Sequence, residues 1–314
     1  MIISASRRTD IPAFYTDWFM NRLAAGYLMI RSPWNYRSIQ RVSLHLDDVD
    51  AIVFWTRNPR QLLPRLAEID SYGYRYYFQY TITGYGRKIE PSVPTADQAV
   101  ETFKKLSDLI GPERVIWRYD PILVSNLCDI SAHKRQFDTL SRSLSGYTRR
   151  VVISFVDLYK GTERNLKKID GLNYHDIVET EWHAAELCAF MKSISVSRDM
   201  EIQTCAEKID LSGIGISHGK CIDDDLLKRA CGVIVSSEKD SGQREECGCV
   251  KSIDIGTYNS CLHGCAYCYA TPTPTKAKNG YQAHDPESPL LIGKPDDQDI
   301  ASLESKMRQR QLPI

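Results

Sequence analysis

Short apolar and aromatic runs recur along the chain and alternate with longer stretches whose apolar positions return every three or four residues. The runs at 2–4, 51–56 (AIVFWT), 74–81 (YRYYFQYT), 114–119 (RVIWRY), 151–156 (VVISFV), 201–204 (EIQT) and 252–257 (SIDIGT) predict strands. Two shorter runs, 28–30 and 233–235, are read as additional strands. Helical periodicity marks 12–25, 59–69, 96–110, 130–144, 174–194 and 223–230. The third of these is the clearest. Thr95 and Gln98 have the spacing of a capping box, Val100, Phe103, Leu106 and Ile110 form one apolar stripe, and Gly111 ends it.

Strands alternating with helices predict an α/β fold with parallel pairing, either a doubly wound sheet or a β/α barrel. The positions of the polar residues favour a TIM-like β/α barrel, complete or incomplete. Nearly every predicted strand ends in reactive or hydrogen-bonding groups: Ser6, Arg7, Arg8 and Asp10; Thr56, Arg57 and Asn58; Gln79, Thr81 and Thr83; Arg118 and Asp120; Ser154 and Asp157; Gln203, Cys205 and Glu207. In a barrel these ends meet on one face, where active sites are built. Taken singly, each has a structural reading: Arg118 and Asp120 as an ion pair, the arginines after the first strand as loop solvation. The repetition carries the weight. Residues 236–250 are charged and loop-like, and residues 271–314, beginning TPTPTKAKNG, form an extension expected to pack on the barrel of 1–270 or to be partly flexible.

Charge and cysteine usage narrow the function. Lys plus Arg equals Asp plus Glu at 40 each, so no overall attraction to nucleic acid or anionic membrane is expected. Arg7, Arg8 and Asp10 stand where a signal peptide needs an apolar run, and no later run is long enough to span a bilayer; a cytoplasmic protein is expected. In that compartment 10 cysteines point to metal ligands rather than a disulfide framework. Cys261, Cys265 and Cys268 lie in CLHGCAYCY with the spacing C-x3-C-x2-C. Three thiolates do not complete the four-coordinate shell of structural zinc, but they suit a [4Fe-4S] cluster with one iron left open.

These three cysteines, with Tyr267 before the last, resemble the signature of radical S-adenosylmethionine enzymes. The resemblance implies a [4Fe-4S] cluster on Cys261, Cys265 and Cys268, S-adenosylmethionine on the open iron, and Tyr267 against its adenine. Reductive cleavage would then give methionine and a 5'-deoxyadenosyl radical that abstracts hydrogen from a substrate. More widely, SASRRTDIPAFY, VFWTRNP, VIWRYDPI, CAEKIDL, GKCID, ECGC and SCLHGCAYCYA together resemble the DUF1848 family over nearly the whole chain. In the radical superfamily the motif follows the first barrel strand, whereas here it follows the last. A circularly permuted barrel, with the first and last strands adjacent, brings the loop to the same face.

The remaining cysteines divide by context. Cys188 and Cys231 are expected to be buried small hydrophobes, and Cys128 lies in a loop without a visible partner. Cys205, Cys221, Cys247 and Cys249 are candidates for a second sulfur site, either an auxiliary [4Fe-4S] cluster or zinc. His263 is expected to face solvent or hydrogen-bond a sulfide. The leading expectation is a radical enzyme served by an electron donor such as flavodoxin or ferredoxin. Its small-molecule substrate, an anion if Arg7, Arg8, Arg57 and Arg118 bind it, would be oriented by Asp10 and Asp120. The alternative is a metal-stabilised binding or electron-transfer protein without radical chemistry. A nucleic-acid substrate finds no support in the net charge.

Overall fold

The structure is a computed structural model that describes residues 1–179 and 181–310. Its strands are β1 Ile2–Ala5, β2 Tyr27–Arg31, β3 Ile39–Ser43, β4 Ala51–Thr56, β5 Tyr76–Thr81, β6 Val115–Ile122, β7 Arg150–Phe155, β8 Glu201–Thr204, β9 Ser217–His218 and β10 Ile253–Asp254. Its α-helices are α1 Ile11–Phe14, α2 Thr16–Ala25, α3 Leu66–Ser71, α4 Ala96–Ile110, α5 Ile130–Leu144, α6 Lys160–Leu166, α7 Glu181–Val196, α8 Asp224–Cys231, α9 Pro274–Gln282 and α10 Asp297–Arg310. Eight strands form one sheet in the order β10-β1-β4-β5-β6-β7-β8-β9, parallel throughout. β2 and β3 form a separate antiparallel ribbon.

Successive side chains along each strand serve two different cores, as the two-residue period of a strand requires. Ile3, Ile52, Phe54, Tyr76, Phe78, Trp117, Val151 and Ile153 pack under helices α2, α3, α4, α5 and α7 through Phe19, Leu66, Phe103, Phe137 and Leu187. Their neighbours Ile2, Ala51, Val53, Tyr77, Ile116 and Val152 face Cys221, Ile222, Leu226, Leu227, Cys249 and Val250. The second face is therefore filled by a chain segment that includes α8, whereas a closed barrel fills it with side chains from opposite strands. Tyr77 Oη fastens that segment, donating to Cys221 O (2.6 Å) and accepting from Asp223 N (3.1 Å).

The α/β class with a parallel sheet is as expected, and no closed barrel is formed among the described residues. β1 and β10, the first and last strands, do pair, through Ile3 with Ile253 and Ser4 with Asp254. Among the described residues, β9 and β10 are not paired, and the sheet stays open between its two shortest strands. The run 28–30 belongs to the ribbon instead of the sheet. The run 233–235 forms no strand, because Val233 N bonds back to Leu227 O (3.1 Å) where α8 ends. α4 and α5 fall where the periodicity puts them, and α4 carries the predicted capping box between Thr95 and Gln98. The extension packs on the N-terminal elements: Trp18 Nε1 donates to Ser288 O (2.9 Å), Met29 N to Pro289 O (2.8 Å), and Arg31 pairs with Asp299 at 2.6 Å. Among the described residues, no helix is long and apolar enough to cross a membrane.

One buried histidine makes stability depend on pH. His133 on α5 is fully buried; Nε2 donates to Leu123 O (3.1 Å), which leaves Nδ1 to accept from Tyr119 Oη (2.8 Å). Burial lowers its pKa from 6.5 to about 4. The unfolded chain therefore binds this proton at a pH where the fold resists it. Unfolding free energy should fall by roughly 3 kcal/mol as pH drops from about 6.5 to about 4. Urea titrations across that window should show the loss, and His133→Gln should flatten it.

Candidate metal centre

The three clustered cysteines occupy the loop that leaves β10. Two glycines set its path. A Cβ on Gly256 would stand 2.0 Å from Ser6 Oγ, and Gly264, at φ +72°, adopts the left-handed conformation with Pro91 Cγ 3.1 Å from where its Cβ would be. Tyr15 Oη donates to Ser260 O (2.6 Å) at the loop's start, Asn259 N donates to Ala270 O (3.0 Å) and closes its ends together, and Ala266 N donates to Ile89 O (2.9 Å). The backbone N–H of His263 lies toward the Cys261 sulfur, and those of Ala270 and Thr271 toward the Cys268 sulfur. Amides aimed at sulfur suit thiolates, but burial alone pushes the free thiols up: Cys261 well above its ordinary range, Cys265 to about 12, and Cys268 upward. A bound metal would supply the positive charge that deprotonates them.

His263, within the same loop, is buried, not solvent-facing. Its Nε2 lies 2.7 Å from Asp10 Oδ2, its Nδ1 3.3 Å from Ser92 O, and its ring packs on Phe14. Asp10 in turn accepts from Ala13 N (3.0 Å), Thr56 Oγ1 (2.8 Å) and Arg57 N (2.7 Å). Its carboxylate is filled by these contacts and joins the start of α1, the end of β4 and the cysteine loop.

Beside the loop, Glu90 is almost fully buried and takes an ion pair from Arg57 (2.7 Å) and hydrogen bonds from Thr83 Oγ1 (2.6 Å) and Tyr267 Oη. Arg57 also donates to Tyr267 Oη, so the phenol is tied down at its polar end; burial holds it protonated, well above its ordinary pKa. The next group lies at the ends of β6, β7 and β8. Arg118 donates to Asp120 Oδ2 (2.8 Å), Gln79 Oε1 (3.3 Å) and Cys221 Sγ (2.8 Å), and Ser154 Oγ donates to Asp120. Burial would raise the Asp120 carboxyl, but the Arg118 guanidinium outweighs it and holds the group below its ordinary value. Glu207 goes the other way: burial pushes it up to about 8 although it accepts from Phe155 N (2.8 Å), so it carries its proton at neutral pH.

The four cysteines from three separate segments also converge. Cys205 and Cys221 sulfurs stand 3.1 Å apart, Ile222 N donates to Cys249 Sγ (3.4 Å), and Cys249 lies beside both Cys221 and Cys247. Hydrogen bonds from Cys221 and Cys247 draw the Cys249 thiol down, and the one from Cys221, aided by Arg118, draws Cys205 to about 7. Among the described residues, the trio of His, Cys, Asp or Glu ligand atoms that all lie within 4.8 Å of one another is Asp223, Asp224 and Asp225; no three cysteines meet that spacing. Those aspartates are engaged at the α8 N-terminus, where Asp223 caps the helix and pairs with Arg150 (2.6 Å) and Asp224 pairs with Lys220 (2.7 Å). Two cavities of about 560 and 870 Å³ share Arg150, Glu201 and Arg229 in their walls, and the larger also takes in Gln203, Gly219 and Lys220 next to Cys205 and Cys221.

Most sequence-predicted site residues are thus brought to one edge of the sheet, but the arginines are committed. Arg57 pairs with Glu90, Arg118 with Asp120, and Arg7 stacks on Trp55 beside Cys249. Arg8 stacks on Tyr258 and has no carboxylate within ion-pair distance among the described residues. Cys188 is buried in the core as expected, and Cys231 is half-buried. Sequence reasoning missed Glu90, Trp55 and Asp254. Asp254 accepts from Ser4 Oγ (3.1 Å), Ser6 Oγ (2.6 Å), Arg7 N (2.9 Å) and Gly256 N (3.0 Å). A carboxylate inside an apolar strand run was the available signal for it.

Removing the Asp10 carboxylate would leave buried donors on three elements without an acceptor. Asp10→Ala should lower unfolding free energy by about 2–4 kcal/mol in urea titrations, with Asp10→Asn costing less because its amide keeps one acceptor oxygen.

No curated protein and no solved structure matches the chain significantly. A family model described as Domain of unknown function (DUF1848) matches residues 2–270, from β1 through the cysteine loop. The match takes in the whole sheet and both thiol sets, and the chain belongs to the DUF1848 family.

Proposed function

We propose that the protein is a radical S-adenosylmethionine enzyme built on an incomplete, circularly permuted β/α barrel, with a [4Fe-4S] cluster held by Cys261, Cys265 and Cys268. The observation that carries this reading is the state of the loop. It offers three thiols, and its one other soft ligand, His263, is turned away to Asp10 and Ser92. A cluster held there has three protein ligands and one open iron for the amino and carboxylate groups of S-adenosylmethionine. Three protein thiolates leave the four-coordinate shell of structural zinc incomplete, which also favours a cluster. The pairing of β10 with β1 supports the permuted arrangement, since it delivers the late loop to the end of the first strand.

Held by Cys261, Cys265 and Cys268, such a cluster would supply the one electron, from a donor such as flavodoxin or ferredoxin, needed to cleave S-adenosylmethionine to methionine and the 5'-deoxyadenosyl radical. The chain's own residues orient and protect. Tyr267 offers its ring to the adenine while Glu90 and Arg57 hold its hydroxyl. Asp120, Ser154 and Glu207 line the substrate side, with an ionised and a protonated carboxyl side by side as proton acceptor and donor. Arg8 is the guanidinium left for an anionic substrate group. A binding or electron-transfer protein without radical chemistry remains the second reading, favoured by the internal pairing of Arg57 and Arg118.

Anaerobic reconstitution with iron and sulfide, followed by dithionite and S-adenosylmethionine, should release 5'-deoxyadenosine. Cys265→Ala should abolish that release. A fully loaded wild-type protein that makes none would reject the radical reading in favour of the second.

A further inference from the structure

The sulfurs of Cys205, Cys221, Cys249 and Cys247 touch in that order. Cys205 and Cys221 stand 3.1 Å apart, Cys221 and Cys249 share a side-chain hydrogen bond, and so do Cys249 and Cys247. They come from just after β8, from the turn before α8 and from the loop before β10, so the row is made by the fold and not by neighbouring sequence. Cys221 and Cys249 are each 1% exposed, whereas Cys205, at one end of the row, is half-buried. One thiol is open to a reagent and the others stand behind it.

Cations line the row. Arg118 Nη1 donates to Cys221 Sγ at 2.8 Å and the same guanidinium hydrogen-bonds Cys205, while Arg7 hydrogen-bonds Cys249. Asp120 and Asp254 stand beside these two arginines, and Ile222 N adds a donor to Cys249 Sγ (3.4 Å). Guanidiniums and N–H donors on a sulfur favour its thiolate, which is the nucleophilic form. Cys188 is the contrast, a thiol set in the apolar core with Leu187, Met191 and Ile202. Distance then separates the uses open to such sulfurs. Two thiolates on one zinc at about 2.3 Å stand roughly 3.8 Å apart, and thiolates on separate irons of a cluster stand further apart still. Cys205 and Cys221 are closer than either, and a disulfide at about 2.05 Å needs a further approach of about 1 Å.

We propose that Cys205 and Cys221 are a redox-active dithiol that reduces a low-molecular-weight disulfide, with Cys249 and Cys247 taking over the bond in turn. The Cys205 thiolate attacks one sulfur of the substrate, a mixed disulfide forms, and the other half leaves as a thiolate that takes a proton. Cys221 then attacks the Cys205 sulfur, and the second half leaves in the same way. The substrate gains two electrons and two protons, which the chain loses in forming the Cys205–Cys221 disulfide. Attack by Cys249 on Cys221 frees Cys205, and attack by Cys247 on Cys249 frees Cys221, so the outer pair is ready for a second substrate. A dithiol reductant returns the oxidised pairs to thiols. None of these steps uses Cys261, Cys265 or Cys268, and the proposal is independent of the radical reading.

The test is peptide mass spectrometry of the alkylated full chain after anaerobic exposure to oxidised glutathione, with circular dichroism to verify folding. In excess oxidised glutathione the wild type should carry a Cys205–Cys221 and a Cys247–Cys249 link, and dithiothreitol should return all four thiols. Cys221→Ser should stop at a glutathione adduct on Cys205 and form no Cys247–Cys249 link. Cys205→Ser should slow oxidation of the whole set severalfold, and Cys205→Ser/Cys221→Ser should leave the iron and zinc content of the purified protein unchanged. Four thiols that stay free in excess oxidised glutathione, oxidation as fast without Cys205, or loss of stoichiometric zinc or iron in the double variant would overturn the proposal. A Cys247–Cys249 link formed in Cys221→Ser would overturn the inward transfer. If a variant does not fold, the wild-type map still decides whether the pair forms.

Discussion

The Asp10 carboxylate is the contact on which the geometry of the cysteine loop depends. A buried carboxylate is tolerated only when its lone pairs are filled, and here the donors come from α1, from the end of β4 and from His263, 253 positions further along the chain. A carboxylate that must be filled by all of them fixes their separations together. Asp254 repeats the device one strand away, drawing Ser4 of the first strand, and Ser6 and the Arg7 amide just after it, onto the last. The two aspartates hold a loop encoded late in the chain at the place where the chain begins.

The same constraint shapes the face behind the loop. A sheet closed into a ring would fill its interior with apolar side chains in layers. This one instead admits residues 221–250 with their cysteines, which come to lie beside Arg7, Trp55 and Arg118. Each charge brought inside has to be matched on the spot. Arg118 shows how closely: its nitrogens are divided among a carboxylate, an amide oxygen and a sulfur, and its flat face lies on Trp55. The open edge between β9 and β10 is the structural consequence, since the segment that would otherwise be replaced by strand pairing is the one carrying three of the four thiols.

What the sequence made legible was what local forces decide. α4 follows from its capping box, its apolar stripe and the glycine after it, and β4 from an uninterrupted apolar run. The strand-end polar groups were recognisable because parallel strands deliver their ends to one side. Long-range pairing was not legible: nothing near Asp10 announces His263, and Glu90 sits in a loop rich in glycine and proline with no periodic pattern to mark it. Local propensity also misled. The β-branched residues of 233–235 suit a strand, yet Val233 is held by the carbonyl of Leu227 and finds no ladder. From the longer run at 252–257, Ile253 and Asp254 form the strand and Ile255 N still donates to Ser4 O (3.0 Å), after which the backbone turns at Gly256 against Ser6 to start the loop.

The arginines show how far residue type alone can carry a functional argument. Four guanidiniums at strand ends suggest an anion receptor, but an ion pair already made inside the protein contributes no net charge to a ligand. Arg57 is neutralised by Glu90 and Arg118 by Asp120, and both partners are more than four-fifths buried, so a ligand would have to break the pair and strand a carboxylate. These two arginines are accordingly better suited to position Tyr267, Asp120 and Cys221 than to bind a substrate. The polarity left at the strand ends beside these pairs is that of the Ser154 hydroxyl oxygen, whose proton goes to Asp120, and the protonated Glu207, a set that both accepts and donates hydrogen bonds. A group that meets it must present hydrogen-bonding partners of both kinds, which is a narrower demand than negative charge.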